Sequence, residues 1–572
     1  MCRSSCALHR TPTPRKRSGP LSDFTRREGL GLLTGLAAVA TGSSSAWAQS
    51  GGALFAHGVA SGDPAHDSVV LWTRVSSLRQ ATPVTWQVAL DEGFRQIVQS
   101  GENRAAPETD FTVKVVPHGL EPGQTYFYRF ALAGQTSPTG RTKTLPQGKL
   151  DRLGVALMSC ANFTLGYFTT YDAVARDPAI DVVLHTGDYI YEYDNDLAKQ
   201  SPLYLRPADP PHETVTLDDY RRRHATHKSD PHSQAMHAAH PMIAIWDDHE
   251  TANDSWRGGA ENHQPEEGAW PTRCAAALRA YYEWMPIRNP ALGRSARDGW
   301  RTYKFGDLAT LVTLETRLSG RSKPLSLRDF KDGLAQPGGR ERLLKDLADP
   351  RRQMLSKPMK EVLRQTLSTS VRSGEAWRLI GNGTLMARIA TPDMRKHGVN
   401  PDDYPEISFL NKFTDIIWSA DNNLPEGMDS WEGYGGARQE FYELAQKAGA
   451  RDLLVLTGDS HSFWSNDLVD DKGVRMGVEL GTAGINVPSG FEMGGFRPAL
   501  IERLDAMYAE TNEDVRWANS AHRGYVRLVL GRNDATADFI SVETSKSTNY
   551  QVKTLRTEHI QTDGASVVAK PV

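Results

Sequence analysis

Cysteine is scarce in this chain: four are present among 572 residues. Two of them, Cys2 and Cys6, sit at the extreme N-terminus, so only Cys160 and Cys274 lie in the body of the chain. One bridge is the most they could form, which excludes a disulfide framework. Charge of one sign is lacking as well. The 66 basic and 69 acidic side chains give a formal net charge of −3, so no long-range field gathers nucleic acid and any anion site must be local. Past the first 50 residues no apolar run is long enough to span a bilayer. No period of 20–50 residues recurs, which excludes a solenoid. Neither a Walker A loop nor a dinucleotide fingerprint occurs in the expected setting. What remains is an ordinary globular composition, 39% hydrophobic and 24% charged, long enough for two or more domains.

The first 48 residues read as a secretory signal. A basic region with paired Arg26 and Arg27 precedes a short Gly- and Ala-rich apolar run and then Ala46-Trp47-Ala48. The paired arginines give it the look of a twin-arginine signal. The expectation is export by the twin-arginine translocation machinery to the periplasm or the exterior, with a mature chain starting at Gln49 and carrying no transmembrane span.

Two regions follow. Residues 49–148 carry strand-like runs at 68–75, 84–90, 111–117 and 125–132, separated by turn residues. The stretch Leu120–Phe130 resembles a fibronectin type III or immunoglobulin-like β-sandwich near its tyrosine corner. TLPQGKL, 144–150, reads as a linker. From 149 to 572 the pattern is α/β: buried-strand runs at 153–158, 181–186, 241–246, 309–314, 378–380 and 453–457, with helical stretches at 169–177, 326–348 and 435–449.

Four of these runs end in polar clusters: Ser159-Cys160-Ala161-Asn162, Gly187-Asp188-Tyr189-Ile190-Tyr191-Glu192, Trp246-Asp247-Asp248-His249-Glu250 and Gly458-Asp459-Ser460-His461. A lone aspartate after a strand is usually a turn or cap. Four such clusters at strand ends, where α/β folds gather functional groups, supply carboxylates, imidazoles, a phenol and a thiol, a donor set for a mixed hard and borderline metal site. His249-Glu250 begins like a zincin helix but lacks its second histidine. Gly458-Asp459-Ser460 lacks the last glycine of a nucleophile elbow.

The order of the clusters resembles that of the metallophosphoesterases, with Cys160-x-Asn162, Gly187-Asp188, Asp248-His249 and Asp459-x-His461 at the four motif positions. The particular residues, together with HGVASGDP (57–64), TLDDYRRRHATHKSDP (216–231), IAIWDDHE (243–250) and GDSHSFW (458–464), are similar to the PhoD-type alkaline phosphatases. The resemblance implies an αββα sandwich behind the β-sandwich, and an exported phosphohydrolase acting on small-molecule phosphate esters. It implies ferric iron on Cys160, Tyr191 and His461, with Asp188 bridging to calcium held by Asp248 and Asp459. Asp247 is an alternative to Asp248, and zinc or manganese are alternative metals. His249 is the candidate to touch a phosphoryl oxygen or protonate the leaving group. Asn162 is a candidate to assist or bind phosphate. Arg317 is either a phosphoryl clamp or a structural ion pair. Glu315 departs from the Asp-Thr-Arg usual in the family, which leaves its role open.

Phosphodiesterase or phospholipase D-like action on phospholipid head groups is the nearest alternative. A secreted binding protein is a third, and it predicts broken ligand sets. His224, His227, His232, His237 and His240 read as solvated or supporting residues. Arg221-Arg222-Arg223 reads as a solvated face, Trp246, Trp431 and Tyr434 as core or cleft wall, and Cys274 as inert core.

Overall fold

The computed structural model describes residues 53–572 except 202, 327–335, 401–402, 404–418 and 563–565. The signal read over 1–48 and part of the helical stretch at 326–348 lie outside the described residues. No helix among the described residues is long and apolar enough to cross a membrane.

Two sheets face each other. In the first, ten strands run in the spatial order Val567–Pro571, Val552–Thr562, Asp534–Val542, Gly524–Leu530, Leu153–Met158, Val182–His185, Met242–Ala244, Val59–Gly62, Val70–Arg74 and Thr112–Val115. In the second the order is Arg301–Phe305, Ala309–Thr313, Trp377–Gly381, Leu453–Thr457, Arg475–Gly481, Phe463–Val469 and Val515–Asn519. The central strands of each are parallel. They are buried on both faces, which is why LGVALM and LLVLT are unbroken apolar runs. Val155, Leu157, Leu184, Leu379, Leu454 and Val478 meet between the sheets. Helices cover both outer faces. Thr169–Ala175, Pro231–Ala239 and Trp270–Trp284 pack on the first sheet through Tyr171, Met236 and Tyr281. Lys357–Arg372, Gly435–Lys447 and Pro498–Thr511 pack on the second through Leu363, Phe441 and Leu504. Helix–sheet–sheet–helix is the layering expected.

The β-sandwich precedes it. A five-stranded sheet, Ile97–Ala105, Thr82–Ala89, Thr125–Leu132, Gln135–Thr136 and Gly140–Lys143, packs on Val59–Gly62, Val70–Arg74 and Thr112–Val115 through Leu71, Val88, Val113, Tyr128 and Phe130. The Tyr126 hydroxyl accepts from the Glu121 N–H at 2.8 Å, the tie that defines a tyrosine corner. The sandwich's second sheet is continuous with the large catalytic sheet, because Gly62 pairs in parallel with Met242. A Cβ at Gly62 would drive into the Met242 and Pro286 carbonyls. The stretch read as a linker is a fixed strap. Leu145 is buried among the inter-sheet residues, and the Pro146 and Gly148 carbonyls accept from the N–H groups of Gly306 and Asp307.

Candidate metal centre

All four polar clusters arrive at one place, past the C-terminal ends of the parallel strands Leu153–Met158, Val182–His185, Met242–Ala244 and Leu453–Thr457. The chain turns sharply there. Cys160, Asp188, Asp459 and His461 all adopt left-handed φ, between 54° and 66°, a conformation uncommon for residues with a Cβ and concentrated at functional sites. Gly187, at φ 112°, permits the close approach of two strand ends: a Cβ there would overlap the Cβ and backbone N of Asp247. A Cβ at Gly458 would strike the Ser159 side chain in the same way.

The donor atoms fall into overlapping groups. Cys160, Asp188 and His461 bring one ligand atom each within 4.8 Å of one another, and so do Asp188, Asp247, Asp248 and Asp459. Asp188 belongs to both groups, and also to one with Asp248 and His249. The Cys160 Sγ lies 3.4 Å from Asp188 Oδ2, and the Tyr191 hydroxyl lies 3.2 Å from both Asp188 Oδ2 and His461 Nε2. Asp188 Oδ1 and Asp248 Oδ1 are buried with no hydrogen-bond partner in the protein. Burial and the Asp188 carboxylate push the Cys160 thiol and the Tyr191 phenol well above their usual ranges. Burial raises Asp188 itself, and the neighbouring aspartates add to the shift. Burial lowers His461 to about 4, keeping its imidazole neutral. So dense a set of buried acids, with two carboxylate oxygens unpartnered, is satisfied by multivalent cations, which reverse these shifts and favour thiolate, phenolate and carboxylate alike. The residues fit a metal centre.

The two adjacent aspartates, indistinguishable in sequence, separate here. Both oxygens of Asp247 are held by Arg317, Nε to Oδ1 at 2.6 Å and the second fork nitrogen to Oδ2 at 2.7 Å. Asp248 accepts the Asp254 N–H on Oδ2 at 2.7 Å and leaves Oδ1 without a hydrogen bond. Arg317 has no exposed surface. Its remaining nitrogen pairs with Asp429, and Asp248 and Asp459 lie 3.7 and 3.8 Å away. Its location is that of a structural ion pair, with a fork already engaged. Glu315 is not directed at the cluster. It accepts from Trp246 Nε1 and from the N–H groups of Arg317, Leu318 and Ser319, fixing the loop that carries Arg317.

His249 stands 2.7 Å, through Nδ1, from Glu192, which leaves Nε2 for the cluster. Burial opposes its protonation, but Asp248, Glu192 and Asp188 outweigh burial and raise its pKa well above the usual histidine range. Its ring lies 4.2 Å from that of Tyr191. Asn162 lines the cavity beside the cluster, but its Oδ1 is occupied by the Thr164 N–H and hydroxyl.

Three positioning residues escaped the sequence reading of roles. Glu192 is fully buried and also accepts from Asn253 N and Asn262 Nδ2. Glu250 accepts from the N–H groups of Asp188, Tyr189 and Asp247, tying two ligand loops together. Both lie inside the clusters already singled out, and an acid in a buried motif was the available signal. Asp429, which groups with Asp248 and Asp254, lies in a stretch with no apolar pattern, so nothing flagged it.

Other expectations need correction. His224, His227, His237 and His240 are buried, not solvated. His227 sits behind the first cluster, bonded to the Ala161 carbonyl at 3.0 Å, and His224 is stacked between Tyr189 and Trp284. Arg221-Arg222-Arg223 is no solvated face: Arg221 grips Glu283, Arg222 grips Asp209, and Arg223 is buried on the carbonyls of Tyr191, Tyr193 and Pro210. Trp246, Trp431, Tyr434 and Cys274, by contrast, are core residues, in line with the sequence.

A family model described as PhoD-like phosphatase matches residues 155–539, and one for the PhoD-like phosphatase N-terminal domain matches 41–146. The chain belongs to the PhoD-like phosphatase family. It is thus an enzyme of the phosphoester hydrolase class, with an α/β catalytic domain behind an N-terminal β-sandwich. This PhoD-like chain is 32% identical over 504 residues to alkaline phosphatase D of Bacillus subtilis (strain 168), covering 85% of this chain and 77% of that protein. A solved structure described as PhoD superposes with a TM-score of 0.73 at 29% identity, covering 90% of this chain and 92% of that one.

Proposed function

We propose that this protein is an exported, metal-dependent phosphohydrolase that cleaves phosphodiesters as well as monoesters. The observation that carries the metal dependence is the thiol–phenol–imidazole–carboxylate cluster with two unpartnered buried carboxylate oxygens. Cys160, Tyr191 and His461 would hold the softer and more highly charged ion, and their thiolate and phenolate suit ferric iron. Asp248 and Asp459 would hold the harder ion, for which an oxygen-rich site suits calcium, with Asp188 shared. Zinc or manganese is the alternative occupant. When bound, such cations supply the positive charge that offsets the oxygens of a phosphoryl group.

The chain's own groups do the rest. Glu192 fixes the ring of His249 so that Nε2 faces the reacting phosphoryl group, to hydrogen-bond a non-bridging oxygen or protonate the departing alcohol. Arg317 and Glu315 hold Asp247 and its loop, and through them the spacing of the ligand strands. The family resemblance and the N-terminal sequence support twin-arginine export to the periplasm or exterior.

A specific observation favours diesters. Two cavities meet at Asp459: one of about 430 Å³ that contains His249, His461 and Leu197 in its walls, and one of about 300 Å³ that contains Trp464, Phe491 and Tyr508. A monoester has one substituent to seat and a diester has two. Hydrolysis of 4-nitrophenyl phosphate and bis(4-nitrophenyl) phosphate, with and without chelator, tests this. Chelator-sensitive turnover of both, favouring the diester, is the expected result. Chelator-insensitive turnover, or none from metal-loaded protein, would overturn the reading.

A further inference from the structure

We propose that the larger of the two cavities is an apolar arm of the active site, and that it selects phosphoesters in which one substituent is an uncharged alkyl or aryl group. The inference rests on the phosphohydrolase reading and adds the substrate class.

The inner end of this cavity is the ligand cluster itself, with Asp248, His249, Asp459 and His461 in its wall. The same wall carries Leu165, Tyr193 and Val487, packed against Cys160 and Tyr191, together with Leu197 and Met493. Leu197 and Met493 form part of that wall while remaining 46% and 42% exposed. Large side chains with so much apolar surface in water are few among the described residues. Leu197 comes from the short helix Asn195–Ala198 and Met493 from Gly490–Met493, segments far apart in sequence that contribute to one cavity. Isolated exposed apolar residues need no explanation, but a pair lining one catalytic cavity does.

Two basic side chains of the cavity wall, Arg223 and His227, are also already engaged. Arg223 lines it, but its guanidinium is turned onto the carbonyls of Tyr191, Tyr193, Pro210 and His212. Both ring nitrogens of His227 are engaged, by the Arg223 and Ala161 carbonyls. A substituent bearing a second phosphate or a carboxylate would lose its hydration without gaining either of these basic partners. An apolar one removes its own surface and that of Leu197 and Met493 from water. At about 430 Å³ the space is large enough for a short alkyl chain or a ring.

The test is calorimetric titration of the metal-loaded protein with methyl-, butyl- and hexylphosphonate and with phosphonoacetate. These bring the same phosphonate head and differ only in the arm. Burial in the cavity predicts about fourfold tighter binding per buried methylene. Hexylphosphonate should thus bind at least roughly tenfold tighter than methylphosphonate, with phosphonoacetate weaker than the butyl compound. The double variant Leu197→Asn/Met493→Asn, altered only at exposed positions, should shrink the hexyl-to-methyl ratio. Equal affinities across the series, phosphonoacetate binding as tightly as butylphosphonate, or an unchanged ratio in the double variant would each overturn the proposal. Bis(4-nitrophenyl) phosphate turnover by the same preparation separates the two readings. A rising series without turnover keeps the apolar arm and retires the hydrolase reading, whereas turnover with a flat series retires the apolar arm alone.

Discussion

Glu192 illustrates how much of this site lies behind the residues that face the cavity. Its carboxylate fixes the orientation of His249 through a 2.7 Å contact and is itself held by Asn253 and Asn262. Such partners orient a reacting group and raise its basicity, and losing one typically costs about 10–100-fold in activity or metal affinity. Glu192→Gln is expected to lower kcat by about that factor and to shift the pH profile, since the charge that favours protonated His249 is removed. A profile and kcat like the parent's would refute the positioning role. Asp505 offers a prediction away from the site. Burial raises its carboxyl to about 6, against its hydrogen bonds from Ser520, and Oδ1 has no partner. The raised acid favours the folded protein while protonated, so its contribution is fully present below about pH 4 and is lost as pH rises through about 6. The difference is about 3 kcal/mol. Asp505→Asn is therefore expected to raise the melting temperature at pH 8 and to give no gain at pH 4. An equal shift at both pH values would contradict the cause assigned.

At the scale of the element, the parallel strands and the turns that end them carry the site. Gly187 must remain small for the second and third clusters to meet. Gly187→Ala adds a methyl to a closed contact at a left-handed φ and should cost about 3 kcal/mol or more, with metal content falling in parallel. Full stability and full metal content in that variant would show that the strand ends do not need this contact. Two kinds of strand were legible in sequence: those buried on both faces, such as Leu153–Met158 and Leu453–Thr457, because double burial demands a continuous apolar run, and half-buried sandwich strands such as Thr125–Leu132, because one buried face demands alternation. Ile97–Ala105, mostly exposed, carries no such pattern and escaped. So did Phe463–Val469 and Asp534–Val542, where polar residues such as Asn466 and Ser541 are buried within the strands. The candidate donor residues stood out in sequence because metal chemistry restricts the side chains, and the strand ends bring them together. Asp247 and Asp248 became separable only when Arg317, 70 positions away, was seen to grip one of them. Of the two roles read for the four buried histidines, solvated or supporting, the solvated one fails for a related reason: their partners, carbonyls, rings and, for His237, the Tyr189 hydroxyl and Lys228, come from segments that no local pattern connects.

Across the whole molecule, the β-sandwich and the catalytic sheet share strands. Val59–Gly62 closes against Met242–Ala244, and Leu145 inserts between the two large sheets. Removing the sandwich would expose the edge of a strand whose neighbours carry the candidate metal ligands. Calorimetry of the intact protein is expected to give one unfolding transition for both parts, and two well-separated transitions would show that the shared sheet does not couple them. The central claim is that strand-end residues from four separate clusters build one metal centre and that this centre performs the hydrolysis. Its most direct test is elemental analysis together with bis(4-nitrophenyl) phosphate turnover of the parent and of Asp188→Asn, the variant at the position common to all three donor groups that surround it. The predicted result is bound metal and turnover in the parent, with both largely lost in a variant that still folds. Full metal content and undiminished turnover in Asp188→Asn would contradict the claim.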